Sequence, residues 1–201
     1  MIDLKNQRLC LLASHPDDLE LGLGGTLNQI KSCKPTIIIF SDTVETNSDV
    51  IISELKKSMA VYDLQYTCLS YPNMGFVNKQ KEIRTDVFNL KQDHDIFFAP
   101  QPTSQHLDHR ILGTALDDIM LEKTVIYYED IRAGQNNKVN FWNEISRSDL
   151  NTKMLALAQY ATQHKTRHYF QNNSVENLAA MRGNQIGVPL AEAFLIHRLV
   201  S

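Results

Sequence analysis

Three residues that can bind a metal or transfer a proton follow a short apolar segment near the start of the chain. The segment, Leu9 to Ala13, is bounded by polar residues, which is typical of a strand buried on both faces. His15, Asp17 and Asp18 come where that strand ends. In open parallel sheets, ligand sites lie just beyond the carboxyl ends of the strands. The sequence therefore predicts a chemically active site here.

A second cluster follows another predicted strand. This strand covers Asp95 to Ala99, and Pro100 ends it ahead of a polar loop. His106 and His109 then lie three residues apart at the start of a predicted helix, with Asp108 between them. Because both clusters follow strand ends, we expect them to project into the same rim of one sheet.

Two histidines and one carboxylate are a common ligand set for a catalytic zinc, which keeps a fourth position open for water. The two clusters supply such a set in His15, Asp18 and His109. Asp17 and His106 then remain as candidates for general acid–base catalysis. An unligated carboxylate can take the proton of an attacking water, and an unligated histidine can stabilise an oxyanion or protonate a leaving amine. Asp108 could hold the tautomer of a neighbouring histidine.

Simpler interpretations stay open for each cluster. An Asp-Asp pair after a strand is typical of a turn and helix cap, and two histidines at a helix start are often surface residues. Gly22, Gly24 and Gly25 also suggest dinucleotide binding, but Leu27 stands where GxGxxG needs its third glycine. These glycines indicate either close backbone approach or tight packing. The co-occurrence of both clusters at strand exits favours the metal site.

Strands and helices alternate along the chain, which predicts a mostly parallel, doubly wound α/β sheet with helices on both faces. Residues 191–199 are ambiguous between a closing strand and a short helix. Residues 131–148 are polar and irregular, and we expect a loop or insertion that could cover the site. Trp142 within it could stack on a sugar or anchor the loop. At 201 residues, the chain fits a single domain, 1–201.

Composition excludes several classes of protein. The net charge is −3 without a block of Lys or Arg, so neither nucleic acid nor an acidic membrane is an expected partner. Cys10, Cys33 and Cys68 form no CxxC pair, which argues against a disulfide framework and a thiolate zinc site. Residues 1–8 lack a signal-peptide core, and no apolar run approaches the ~20 residues of a membrane span. We therefore predict a cytoplasmic protein, and a homo-oligomer stays open.

The motifs carry a family resemblance. SHPDDLELGLGGT resembles the AHPDDxELGxGGT motif of the PIG-L/LmbE family of metal-dependent N-deacetylases, and HLDHR resembles its HxDH motif. Weaker similarity runs through YYED, Lys153 and Ala156 ahead of ATQH, and RGNQIGVPLAEAF. The resemblance implies a Rossmann-like fold with zinc on His15, Asp18 and His109. It also implies Asp17 as general base and His106 as the second catalytic group.

For this family the implied reaction is hydrolysis of the acetamido group of an N-acetylated amino sugar, usually a derivative of N-acetylglucosamine, to acetate and a free amine. The resemblance also suggests that Arg182 and Glu192 pack near the site and could bind or orient the substrate. Two departures concern the substrate: Ile51 stands where many members carry an arginine, and SDTVET replaces a more typical TDG-like turn.

Three functional hypotheses follow. The first is a single-domain deacetylase of an amino sugar or a glycoconjugate that depends on zinc or on another divalent transition metal. The second is a metal-dependent amidase of a non-sugar N-acyl amine. The third is a metal-binding subunit without catalytic activity, which Asp17 argues against because a structural metal site needs no unligated base.

Overall fold

The computed structural model describes residue 4 and residues 6–43, 48–132, 137–171 and 173–200. The strands of this part are β1 Leu9–Ala13, β2 Thr36–Thr43, β3 Thr67–Pro72, β4 Ile96–Pro100, β5 Thr124–Tyr128, β6 Phe141–Glu144 and β7 Ala191–Arg198. They form one seven-stranded sheet in the order β3-β2-β1-β4-β5-β7-β6. The first five strands pair in parallel, whereas β7 pairs antiparallel with both β5 and β6.

Helices cover both faces of the sheet, and they are α1 Asp18–Ile30, α2 Ser48–Tyr62, α3 Gln80–Leu90, α4 Leu107–Ile119, α5 Arg147–Leu157, α6 Ala161–Thr166 and α7 Ser174–Asn184. Alternate residues of β1 point to opposite faces. Leu9 and Leu11 pack with α1, α2 and α5, whereas Cys10 and Leu12 pack with α3 and α4. Burial on both faces explains the unbroken apolar run of β1. The predicted fold class is confirmed.

The strand order places the two motifs side by side. β1 and β4 are neighbours in the sheet although they are far apart in sequence. β1 continues into α1 on one face, and β4 leads to α4 on the other. A crevice opens at such a point, where successive connections depart to opposite faces. The HPDD turn and the His106–His109 segment both lie at this crevice.

One predicted region is wrong in part. Residues 131–148 are not a continuous loop, because residues 141–144 form β6 and pair with β7 at the edge of the sheet. Residues 133–136 of the predicted loop lie outside the described residues. The ambiguous segment 191–199 is the strand β7, which pairs with β5 and β6. An edge strand of three half-buried residues and one exposed residue lacks a strong sequence pattern, and pairing with β7 decides its conformation.

Among the described residues, no helix is both long enough and apolar enough to span a membrane.

Candidate metal centre and active site

His15 lies in the turn between β1 and α1, and each of its ring nitrogens faces a carboxylate. Its Nε2 is 3.1 Å from Oδ2 of Asp108, and its Nδ1 is 3.5 Å from Oδ2 of Asp18. Asp108 is buried and also accepts the backbone N–H groups of Met74 and Phe76 at 2.7 and 3.3 Å. A carboxylate held this way fixes both the orientation and the tautomer of the His15 ring.

His109 in α4 has the same arrangement. Its Nε2 is 3.1 Å from Oδ2 of Asp18, and its Nδ1 is 3.3 Å from Oδ2 of Asp130. Ser104 donates its hydroxyl to Asp130 at 3.0 Å and fixes that carboxylate in turn. Sequence reasoning assigned no role to Asp130. The available signal was an acidic residue just past the carboxyl end of a buried strand.

The start of α1 carries two acidic side chains with different environments. Asp18 is the first residue of the helix, and Asp17 precedes it with a φ of 86°. A non-glycine residue in this left-handed region is uncommon and costs energy. The N–H of Leu21 donates to the carbonyl oxygen of Asp17 at 2.9 Å, so the first helical turn holds the strained backbone. Asp17 lines a pocket that also contains His15 and His106.

His106 is the N-cap residue of α4. Its Nδ1 accepts the backbone N–H of Asp108 at 3.3 Å, which assigns the proton of the neutral ring to Nε2. Burial, together with the positive charges of His15 and His109, lowers the pKa of His106 to about 4. At neutral pH this ring is therefore an uncharged hydrogen-bond donor at the pocket.

The pKa values of Asp17 and Asp18 are shifted in opposite directions. Burial and the charge of Asp18 raise the pKa of Asp17 well above its ordinary value. Burial acts in the same direction on Asp18, but His109 and His15 outweigh it and hold the pKa of Asp18 well below the usual range. Burial lowers the pKa of His109, yet Asp18 and Asp130 raise it to about 9. The negative charges of Asp18 and Asp130, which favour a positive charge at this ring, would equally favour a bound divalent cation beside it.

The donor set fits a tetrahedral divalent cation at this position. Ligand atoms ~2.0–2.1 Å from a tetrahedral zinc lie roughly 3.3 Å from one another. Oδ2 of Asp18 is 3.1 Å from Nε2 of His109 and 3.5 Å from Nδ1 of His15. Ligand atoms of His15, His106 and His109 also lie within 4.8 Å of one another, so distance alone would admit a set of three histidines. The Nε2–H tautomer of His106 favours Asp18 as the third ligand.

An arginine that sequence reasoning missed also lines the pocket. The guanidinium of Arg132 is 3.9 Å from Oδ1 of Asp18 and 3.2 Å from Oδ1 of Asp130. It lies over the ring of Tyr169, 5.5 Å from the ring centroid. Arg132 comes in the segment predicted to be irregular, where no pattern marked it. Asp42, the apolar Ile51 and Met74, and several further polar side chains also line the pocket.

Three residues predicted to bind substrate do not line this pocket. Nε of Arg182 donates to Glu129 at 2.9 Å. Trp142 lies in β6 and donates its indole N–H to Gln185 at 2.9 Å. Glu192 is only 4% exposed and accepts backbone N–H groups of α1. These contacts give all three side chains structural partners.

Known structures share the fold. The conserved protein TT1542 from Thermus thermophilus has a TM-score of 0.77 and 20% identity, with coverage of 97% of this chain and 96% of that one. N,N'-diacetylchitobiose deacetylase from Pyrococcus horikoshii has a TM-score of 0.70 and 20% sequence identity, and the match covers 94% of this chain and 83% of that one. 4-Carboxy-2-hydroxymuconate hydratase GalB from Pseudomonas putida has a TM-score of 0.72 and 13% sequence identity, and the match covers 97% of this chain and 98% of that one. At these identities, the likeness establishes the architecture only.

A search of curated proteins finds no matching sequence. The family model described as PIG-L, GlcNAc-PI de-N-acetylase, matches residues 10–120, which include both the HPDD turn and the HLDH segment. This match covers more than half of the 201 residues. The chain therefore belongs to the PIG-L family.

Proposed function

We propose that the protein is a metal-dependent hydrolase that removes the acetyl group from an N-acetylated amino sugar or a glycoconjugate that contains one. One observation carries the proposal. His15 and His109 both direct one nitrogen at Asp18, and both have the other nitrogen held by a buried carboxylate. This is the arrangement of metal-ligating histidines. Membership of the PIG-L family supports the deacetylase reaction, and the likeness to a chitobiose deacetylase is consistent with it.

The remaining side chains have the chemistry that amide hydrolysis requires. When bound, a divalent metal such as zinc would polarise the acetamido carbonyl and lower the pKa of the attacking water. Asp17 is buried at the pocket with a raised pKa, which suits a carboxylate that accepts a proton at neutral pH. It takes the proton of the water and passes it to the leaving nitrogen as the C–N bond breaks.

His106 acts on the other reacting atom. Its Nε2–H donates to the oxygen that develops negative charge when water adds to the carbonyl. Asp108 and Asp130 do not touch the substrate. They hold the rings of His15 and His109 in position.

The test combines metal analysis with product analysis. Elemental analysis of the purified protein gives the metal content per chain, and acetate release is then measured on a panel of N-acetylglucosamine derivatives before and after chelation. We expect about one metal per chain and acetate release that the chelator abolishes.

Other results point elsewhere. Bound metal without acetate release from the sugars would favour a non-sugar N-acyl amine as substrate or a subunit without catalytic activity. Purified protein that neither contains nor takes up a metal would contradict the mechanism.

A further inference from the structure

Tyr169 places an aromatic ring in a pocket whose lining is mostly polar. The side chain is half-buried and lines the same pocket as His15, Asp17 and His106. Apart from the histidines, no other aromatic side chain of the described part of the chain contributes to this lining. The match to the PIG-L family model ends at residue 120, so Tyr169 lies outside the region that carries the metal-binding motifs. Neither the proposed metal site nor the proposed acid–base steps use it.

Buried contacts fix the segment around Tyr169 to the body of the protein. Tyr169 belongs to a short 3₁₀ turn. Its neighbour Phe170 is 8% exposed and packs against the rings of His164 and Tyr160, at centroid distances of 5.0 and 6.3 Å. The hydroxyl of Tyr160 in turn donates to Glu20 in α1 at 2.7 Å. The protein's own contacts therefore hold the backbone next to Tyr169 in place.

Arg132 orients the ring itself. Its guanidinium lies over the ring of Tyr169, 5.5 Å from the centroid, and donates to Asp130 at 3.2 Å. Arg132 thus covers one part of the ring, and the part that lines the pocket stays accessible to a ligand. Because the ring is already oriented, packing a ligand against it costs little conformational entropy.

The ring of Tyr169 is chemically suited to the face of a sugar. A pyranose has hydroxyl groups around its edge and apolar C–H groups on its faces. Contact between such a face and an aromatic ring removes apolar surface from water, and the negative face of the aromatic ring attracts the C–H hydrogens. An open-chain acetamide has no comparable face. Polar side chains of the same lining, such as Gln163 and Asn73, are suited to the hydroxyl groups.

We propose that the ring of Tyr169 packs against a C–H face of the substrate's sugar and makes the pocket selective for a sugar ring over an open-chain acetamide. This inference rests on the proposed function. It gives Tyr169 the stacking role that the sequence suggested for Trp142, whose side chain lies outside the pocket lining.

Two N-acetyl compounds, with and without a sugar ring, test this role. The methyl β-glycoside of N-acetylglucosamine carries the ring, and N-(2-hydroxyethyl)acetamide carries the same acetamido group on an open chain. Binding to the metal-loaded protein is measured by NMR titration, which detects weak binding, and acetate release is measured in parallel. Tyr169→Ala should weaken binding of the glycoside about 10-fold, because apolar contact with the aromatic ring is lost. Its affinity for the open-chain acetamide should equal that of the parent.

Two further variants separate the ring from the hydroxyl and recognition from folding. Tyr169→Phe keeps the aromatic ring and should bind the glycoside nearly as tightly as the parent. Tyr66→Ala removes a half-buried tyrosine outside the pocket and should bind both compounds as the parent does. Metal content should be unchanged in all three variants, because neither tyrosine is among the proposed ligands.

The outcomes separate the two proposals. Equal affinities of Tyr169→Ala and the parent for the glycoside, or an equal loss on both compounds, would overturn the role of Tyr169. A loss in Tyr169→Phe as large as that in Tyr169→Ala would assign the effect to the hydroxyl and overturn it as well. So would a parent protein that binds the glycoside no better than the open-chain acetamide. Glycoside binding that depends on Tyr169 without acetate release would leave the selectivity intact and contradict the deacetylase.

Discussion

Helix α1 connects two buried polar clusters with opposite character. The site cluster comprises His15, Asp17, Asp18, His106, Asp108, His109 and Asp130. The kink cluster comprises Lys153 and Glu192 with the α1 backbone at Leu21, Gly25 and Thr26. Both clusters are largely shielded from water, yet of the two only the site cluster contributes side chains to the lining of the pocket that contains His15 and Asp17.

The kink cluster satisfies its polar groups internally. Helix α1 is broken at Leu23, where φ is −145° and ψ is 23°. Glu192 accepts the N–H groups of Gly25 and Thr26, just beyond the break, at 2.9 and 2.7 Å. Lys153 donates to Glu192 at 2.6 Å and to the carbonyl oxygen of Leu21 at 2.9 Å. The charge of Glu192 is therefore neutralised by Lys153, and both side chains have hydrogen-bond partners within the protein.

The site cluster lacks this internal balance. Asp17 has a strained backbone and a raised pKa, and Asp18, Asp108 and Asp130 converge on two imidazole rings. A buried polar cluster that completes its own bonds stabilises a fold, whereas one that leaves groups available is suited to binding and chemistry. Variants in both clusters test this distinction.

The largest effect should come from Asp17. Asp17→Asn removes the proton acceptor while asparagine tolerates the left-handed backbone, so kcat should fall about 10²- to 10⁴-fold with metal content near that of the parent. His15→Ala should instead lose the metal. Elemental analysis and steady-state kinetics provide both readouts. Full activity of Asp17→Asn would show that the assigned base is wrong.

Lys153→Met should act on stability rather than on chemistry. It leaves the carboxylate of Glu192 buried without its cation, which we expect to lower the free energy of unfolding by about 3–5 kcal/mol. The control is Arg147→Met, which breaks an ion pair whose side chains are 60% and 41% exposed and should cost less than about 1 kcal/mol. Urea unfolding measures both. A loss of kcat in fully folded Lys153→Met would contradict the proposed division between the clusters.

Asp108→Asn should weaken the metal site without abolishing it. The amide cannot orient His15 as the carboxylate does, so metal affinity should fall about 10- to 100-fold. Competition with a chelator of known affinity measures the change. Asp118→Asn, at an exposed position paired with Arg84, is the control and should leave metal affinity unchanged. If Asp108→Asn bound the metal as tightly as the parent protein, Asp108 would not be needed to orient His15.

The smallest effect concerns the ion pair between Arg8, just before β1, and Asp95, just before β4, at the opposite end of these strands from the site. Hydrogen bonds from Arg8 lower the pKa of Asp95 to about 2. Because this folded-state pKa lies below the unfolded value of about 4, the stabilisation is present above about pH 4. It is lost as the pH falls towards 2. Asp95→Asn should flatten this part of the stability profile, and its activity at neutral pH should match that of the parent. A profile as steep as the parent's would contradict the assignment.

The glycines of α1 show how tertiary contacts answer a question that sequence left open. A Cβ at Gly22 would lie 2.4 Å from Cδ2 of Tyr128, and one at Gly24 would lie 2.8 Å from Cγ of Lys153. These glycines permit tight packing against the sheet and against α5. The alternative, close approach to a bound group, has no support in these contacts.

Sequence alone determined the fold class and the two motifs that meet at the site. A buried parallel strand appears as an unbroken apolar run, and polar residues at its end stand out because ligand sites occur there. The adjacency of β1 and β4 came from strand order, which no local pattern encodes. Only the tertiary structure showed that Asp130 and Arg132 lie at the site. Likewise, only the tertiary structure showed that Glu192 lies outside the pocket lining. Those placements depend on contacts between segments distant in the chain, for which spacing within one segment carries no signal.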